Sequence, residues 1–183
     1  MSRYIDTTVV IAALALILCS VAGCAKEERE LVYANQEIAM EKYLKGKFPN
    51  DSIIRNNGSN RVIIDSSASA SILEYGDTLY LFYAGYVFNG SPTALFATNV
   101  QSVAESAKFS LTDADFSPLV VQYNQGVFVE GLENGLSGVR EGEHSIILFS
   151  AKYGFGNDAV YNIPKMSALI YEVWIDRIKK KNQ

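Results

Sequence analysis

Glycines at 131, 135, 138 and 142 punctuate the run Gly131-Leu132-Glu133-Asn134-Gly135-Leu136-Ser137-Gly138-Val139-Arg140-Glu141-Gly142-Glu143. A helix interrupted so often is too short to stand alone, because its costly first turn is repaid by few later bonds. It must therefore lie packed on something larger. The residues after it read as sheet: the apolar run Ile146-Ile147-Leu148-Phe149 has strand length, Tyr153-Gly154-Phe155-Gly156 is a turn, and Ile163-Pro164 leads to a last strand, Leu169-Ile170-Tyr171-Glu172-Val173-Trp174.

Upstream, Asp77-Thr78-Leu79-Tyr80-Leu81-Phe82-Tyr83-Ala84-Gly85 is rich in aromatic and aliphatic residues and bounded by glycines, which predicts a further strand. Arg61-Val62-Ile63-Ile64-Asp65 predicts another, entered from the turn cluster Asn56-Asn57-Gly58-Ser59-Asn60, and Ser66–Ser71 reads as a small polar crossing. Between Asn35 and Lys47, Met40, Tyr43 and Leu44 form an apolar stripe at helical spacing, with Gly46 and Pro49 closing the helix.

The front of the chain reads as an address. Arg3 precedes an uncharged apolar run from Val9 to Leu18. That run is shorter than the ~20 residues of a bilayer-spanning helix and has the length of a signal-peptide core. It ends in Val21-Ala22-Gly23-Cys24, which resembles the lipobox of bacterial lipoproteins. The resemblance implies cleavage before Cys24, acylation (palmitate among the chains) and anchoring of a soluble body to a membrane. With Cys19 removed and Cys24 lipidated, no thiol remains for a disulfide, a zinc site or a nucleophile. Ala25-Lys26-Glu27-Glu28-Arg29-Glu30 predicts a solvated, mobile tether. Its Lys-Glu-Glu is similar to a surface-export signal of Bacteroidetes lipoproteins.

Arg3 and Asp6 would leave together, so the net charge of −4 is unchanged by processing. That balance gives no basic stripe for nucleic acid, and Lys179-Lys180-Lys181 reads as a solvated tail. His144 is the single histidine and reads as a sheet-edge residue. Asp113 and Asp115 miss the calcium-loop spacing, and no phosphate loop follows a strand. Group-transfer and metal chemistry have no constellation to rest on, and no cofactor is predicted.

The order of these pieces resembles the FKBP-type peptidyl-prolyl cis-trans isomerases. Asp77–Gly85 is similar to that family's first long strand, and Gly131–Tyr171 to its C-terminal half. The resemblance implies an α+β fold, with a curved antiparallel sheet packed on one short helix. It also implies an apolar pocket that grips proline in polypeptide substrates. Carried over by position, Tyr83, Phe96, Phe128, Val129, Ile163 and Tyr171 take up pocket positions, with the Val129 N–H as donor to a substrate carbonyl. Leu132 replaces the tryptophan floor and Leu119 an aromatic wall residue. Ala97 stands where the family carries an aspartate, and Phe155 where it carries a tyrosine hydroxyl. Any one of Tyr83, Phe96, Phe128 and Tyr171 alone reads as core; their joint placement reads as a pocket.

The segments are thus a signal peptide (1–23), a tether (24–34), a helix-and-strand leader (35–75), an FKBP-like domain (76–178) and a basic tail (179–183). The implied function is a prolyl isomerase or folding helper for exported proteins, weakened by its two missing polar groups. It would sit as a lipoprotein in a Gram-negative envelope, at the outer membrane. The alternative is a non-catalytic lipoprotein that keeps the pocket to bind a peptide or partner. The long stretch from Thr98 to Ser117 reads as a flap over the pocket.

Overall fold

The computed structural model describes residues 7–66, 70–109 and 116–181, with 7–25 described by backbone alone. A long helix, α1 (Thr7–Lys47), comes first. Strands β1 (Ser52–Asn56) and β2 (Ser59–Asp65) follow as a hairpin. Its turn, Asn57-Gly58, holds both residues at positive φ, the twist that a two-residue hairpin loop demands. Then come β3 (Thr78–Phe88), β4 (Pro92–Thr98), the short α2 (Gln101–Ser106) and β5 (Leu119–Gln122). The chain ends its fold with α3 (Glu130–Leu136), β6 (His144–Phe149) and β7 (Ala168–Lys179).

All seven strands join one curved sheet, six of them in the order β1-β2-β6-β7-β3-β4 with β5 paired to β3, and every pairing is antiparallel. On its free side β3 pairs with β5 over Thr78–Leu81 and with β4 over Ala84–Phe88. Those two short strands thus lie end to end along it.

Alternation along each strand sends side chains to two faces. Leu79 and Leu81 of β3, Ile147 and Phe149 of β6, and Leu169, Tyr171, Val173 and Ile175 of β7 bury with Leu132 and Leu136 of α3 on the inner face. Val62, Phe88, Leu148, Ala168 and Ile170 bury on the outer face, under Met40, Leu44 and Phe48. Covering both faces explains why Ile146–Phe149 and Leu169–Tyr171 are unbroken apolar runs rather than alternating ones. The predicted Met40/Tyr43/Leu44 stripe is the seam of α1 on this outer face, with Tyr43 edge-on to Phe88 at 5.4 Å.

Three expectations change. Lys26–Glu30, expected as a solvated, mobile tether, is exposed and forms part of helix α1. The basic tail is clipped down: Lys180 Nζ lies 2.8 Å from both Asp77 Oδ2 and Glu74 Oε2, and the Lys181 N–H donates to Asp77 Oδ1. His144 opens an inner strand, not an edge; its ring stacks on Trp174 and its Nε2 lies 2.8 Å from Glu172. No helix of the described residues is long and apolar enough to cross a membrane. Residues 1–6 of the predicted signal lie outside the described residues.

Candidate functional site: an apolar pocket between sheet and helix

Helix α3 lies across the inner face closer than side chains normally allow. A Cβ on Gly131 would come within 2.2 Å of the Phe149 ring, and one on Gly135 within 2.3 Å of Ile147. Two glycines on one side of a two-turn helix therefore set its height above β6. Arg61 of β2 anchors the far end, its Nη1 donating to the carbonyls of Gly135 (3.2 Å) and Ser137 (3.0 Å). Those acceptors are the orphan groups of a helix C-terminus, where a cation is also favoured by the dipole.

Arg61 and Glu143 are 3 % and 1 % exposed, with Nε 3.5 Å from Oε1. Glu143 is fully engaged, since Ser145 Oγ and the Arg140 N–H both donate to it. Burial pulls the Arg61 guanidinium down from its usual value, and the field of Glu143 opposes the shift. One buried ion pair thereby fixes the helix that carries Leu132.

A cavity of about 210 Å³ remains between α3 and the sheet. Leu81 and Tyr83 of β3 line it, with Tyr171 of β7 and Ala97 of β4 beside them. Leu119 of β5, Val127 and Phe128 from the loop before α3, and Leu132 complete the lining. Tyr171 is held from two sides, edge-on by Phe96 at 5.5 Å and by stacking on Phe149 at 5.9 Å. Gly85 makes the first contact possible, because a Cβ there would meet both the Phe96 and Tyr171 rings below 3.0 Å.

Asn99 stitches the wall where β4 leaves β3 and β5 begins. Its Oδ1 accepts from the Tyr83 N–H (2.7 Å), and its Nδ2 donates to the carbonyls of Leu81 (3.1 Å) and Ser117 (3.0 Å). All three of these bonds go to backbone, two of them at the lining residues Leu81 and Tyr83.

Among the lining side chains only Tyr83 and Tyr171 carry polar atoms. Burial pushes the Tyr83 phenol up. Burial, then the nearby Tyr83, pushes Tyr171 up further. Both hydroxyls are therefore neutral at physiological pH, available as donors and unable to act as bases. Val129 stands just outside the first turn of α3, its carbonyl accepting from Leu132 and Glu133 at 3.0 Å. No acceptor among the described residues engages its own N–H. The described residues include no cluster of three or more His, Cys, Asp or Glu that could hold a metal.

Of the positions singled out in the sequence, Tyr83, Ala97, Leu119, Phe128, Leu132 and Tyr171 surround this one cavity. Phe96, Val129 and Phe155 pack against the inner core and Ile163 is buried within it, but none of these four lines the cavity. Leu81, Val127 and Asn99 are additions. Leu81 is two residues before Tyr83 and shares its face by strand period; Val127 and Asn99 carry no comparable signal. The segment from Thr98 does not overhang the cavity where it is described. Val100, Gln101 and Ser102 line a separate cleft with Phe82 and Trp174, side chains of the opposite sheet face. Residues 110–115 lie outside the described residues.

A model of the "FKBP-type peptidyl-prolyl cis-trans isomerase" family matches residues 70–176. FK506-binding protein 1 of Aspergillus oryzae is 28 % identical over 122 residues, covering 66 % of this chain and 98 % of the relative. FK506-binding protein 15 of Mus musculus is 27 % identical over 115 residues, covering 62 % of this chain but only 8 % of that long protein. Among solved structures, FkpA from Escherichia coli aligns with a TM-score of 0.58 at 16 % identity, over 98 % of this chain and 76 % of its own. The three FKBP domains of wheat FKBP73 align with a TM-score of 0.53 at 14 % identity, over 70 % and 49 %. The structural likenesses speak for the fold alone. The family match spans more than half of the sequence and all the strands and the helix that enclose the cavity, so this chain belongs to the FKBP-type peptidyl-prolyl cis-trans isomerases.

Proposed function

We propose that this protein is a slow prolyl isomerase acting on exported polypeptides, tethered to a Gram-negative outer membrane through an acylated Cys24. The observation that carries the catalytic part is the lining of the cavity, apolar throughout except for two un-ionised tyrosine hydroxyls. An X–Pro amide resists rotation by ~18–20 kcal/mol because C–N resonance keeps it planar. Twisting it removes resonance and carbonyl charge, so a dry apolar site favours the twisted form over the planar one. The cavity is small beside the ~300–1,000 Å³ of most ligand sites, which suits one ring of a passing chain.

In this reading the proline ring rests on Leu132, between Tyr83, Phe128 and Tyr171. The free Val129 N–H holds a flanking carbonyl, and an apolar residue before proline is preferred. Ala97 contributes no polar atom at the rim beside Tyr83, and this is the reason turnover is slow. The same absence favours a second reading, a lipoprotein that binds proline segments without turning them over.

A protease-coupled assay on a short X–Pro peptide separates the two. The wild type should show slow catalysis, lost in Tyr83→Ala and raised about tenfold in Ala97→Asp, if the returned group is worth ~1.5 kcal/mol. Binding without turnover would establish the second reading. Neither binding nor catalysis, unchanged by Ala97→Asp, would refute both.

A further inference from the structure

The connection from β6 to β7 carries Phe155 and Ile163, and it is held from outside the matched family domain. Ala151 opens a 3₁₀ turn (Ala151–Tyr153) whose preceding residue, Ser150, gives no side-chain cap. The Ala151 N–H donates instead to Gln36 Oε1 of α1, at 2.9 Å. Ala151 O accepts from the Gly156 N–H (2.9 Å), and Gly156 O accepts from the Met166 N–H (2.7 Å). Met166 O then accepts from Gln36 Nε2, at 2.6 Å. Four hydrogen bonds thus close into a ring: Ala151, Gly156 and Met166 each donate at the N–H and accept at the carbonyl, and the Gln36 carboxamide joins the two ends. Met166 sits in the ring at φ 56, a left-handed conformation that a side-chain-bearing residue holds only under constraint.

The ring needs one side chain that is donor and acceptor at the same tip. The Gln36 carboxamide does both, whereas a carboxylate in its place cannot donate and a lysine cannot accept. Phe155 lies immediately before Gly156 and packs on the inner core that includes Phe149 and Tyr171. Ile163 is buried in that core from the same connection. The connection reaches Tyr171, a lining residue, through Phe149: a Cβ on Gly154 would stand 3.6 Å from the Phe149 ring, and that ring stacks on Tyr171.

We propose that Gln36 is a positioning residue for the isomerase pocket: through the four-bond ring, helix α1 sets the loop that supports one pocket wall. On this account α1 works on the site as well as linking it to the N-terminus. The inference rests on the proline-pocket reading above.

The test uses the full chain and the variants Gln36→Ala, Gln36→Glu and Arg55→Ala. Arg55 pairs with Glu41 of α1 at 2.8 Å, so its loss loosens the same helix without touching the ring. Amide hydrogen exchange is read at Ala151, and kcat and KM on an X–Pro peptide. Gln36→Ala and Gln36→Glu should each remove protection at Ala151 and raise KM about three- to tenfold, with kcat within about twofold. Arg55→Ala should leave KM unchanged. An unchanged KM despite lost protection overturns the proposal, as does an equal effect of Arg55→Ala. If the wild type neither binds nor turns over proline peptides, the isomerase reading fails separately. The ring is then judged on exchange alone, and undiminished protection at Ala151 in Gln36→Ala refutes it.

Discussion

Glu133 keeps both carboxyl oxygens out of water in the first part of α3, with no hydrogen bond of full geometry. Burial raises its pKa above the ordinary 4.5, while the N–H groups of Asn124 and Phe128 pull the other way and lose. A carboxyl raised in the folded state binds its proton more tightly there than in the unfolded chain. Its contribution to stability is therefore best below the ordinary value, declines as pH rises through the folded pKa, and stays low at neutrality. Glu133→Gln, which cannot ionise, should raise the melting temperature at pH 7 by on the order of 1–2 °C, kept small by partial solvent screening. The gain should vanish near pH 4, as thermal melts at the two pH values would show; a gain that persists in acid would point to packing instead. At this scale the pocket was largely legible. Tyr83 and Tyr171 share the inner face through strand alternation, and Leu132 follows the glycine that seats its helix. Phe155 and Ile163 were harder to place, because their depth depends on how an eighteen-residue connection folds back, which no local period encodes. Gln36 was illegible for the same reason, since its partners are 115 and 130 residues away.

Elements were legible where one period dominates and obscure where neighbours decide. The long β3 and β7, the hairpin turn at Asn57-Gly58 and the glycine-bounded α3 follow from composition and turn chemistry. Strand β4 starts at Pro92, a residue that only an edge strand accepts, and β1 is short and half polar, so neither stood out. Six-residue α2 has mixed propensity and owes its form to packing beside β4. The seating of α3 gives the sharpest test of an element as a unit. Gly131→Ala must push the helix off Phe149 or force that ring aside. Overpacking of this kind costs about 1–3 kcal/mol, read as a lower urea midpoint, and it should lower kcat/KM as Leu132 shifts. A variant as stable and active as the wild type would show that α3 has slack the structure does not display.

The whole molecule joins a two-faced sheet to a long helix, and in the proposed setting that helix faces the membrane. Replacing Cys24→Ser should release the protein from membranes or block its processing. A serine variant that still matures and sediments with the wild type would refute acylation at that residue. The sheet itself has a temporal consequence. Its last-made strand, Ala168–Lys179, lies between β6 and β3 rather than at an edge. Until that strand docks, β3 and β6 have no partner to bridge them, and the sheet is two separate sets, β1-β2-β6 and β3 with β4 and β5. A chain cut before Ala168 therefore has no closed inner core, and it stays open to chaperones and proteases.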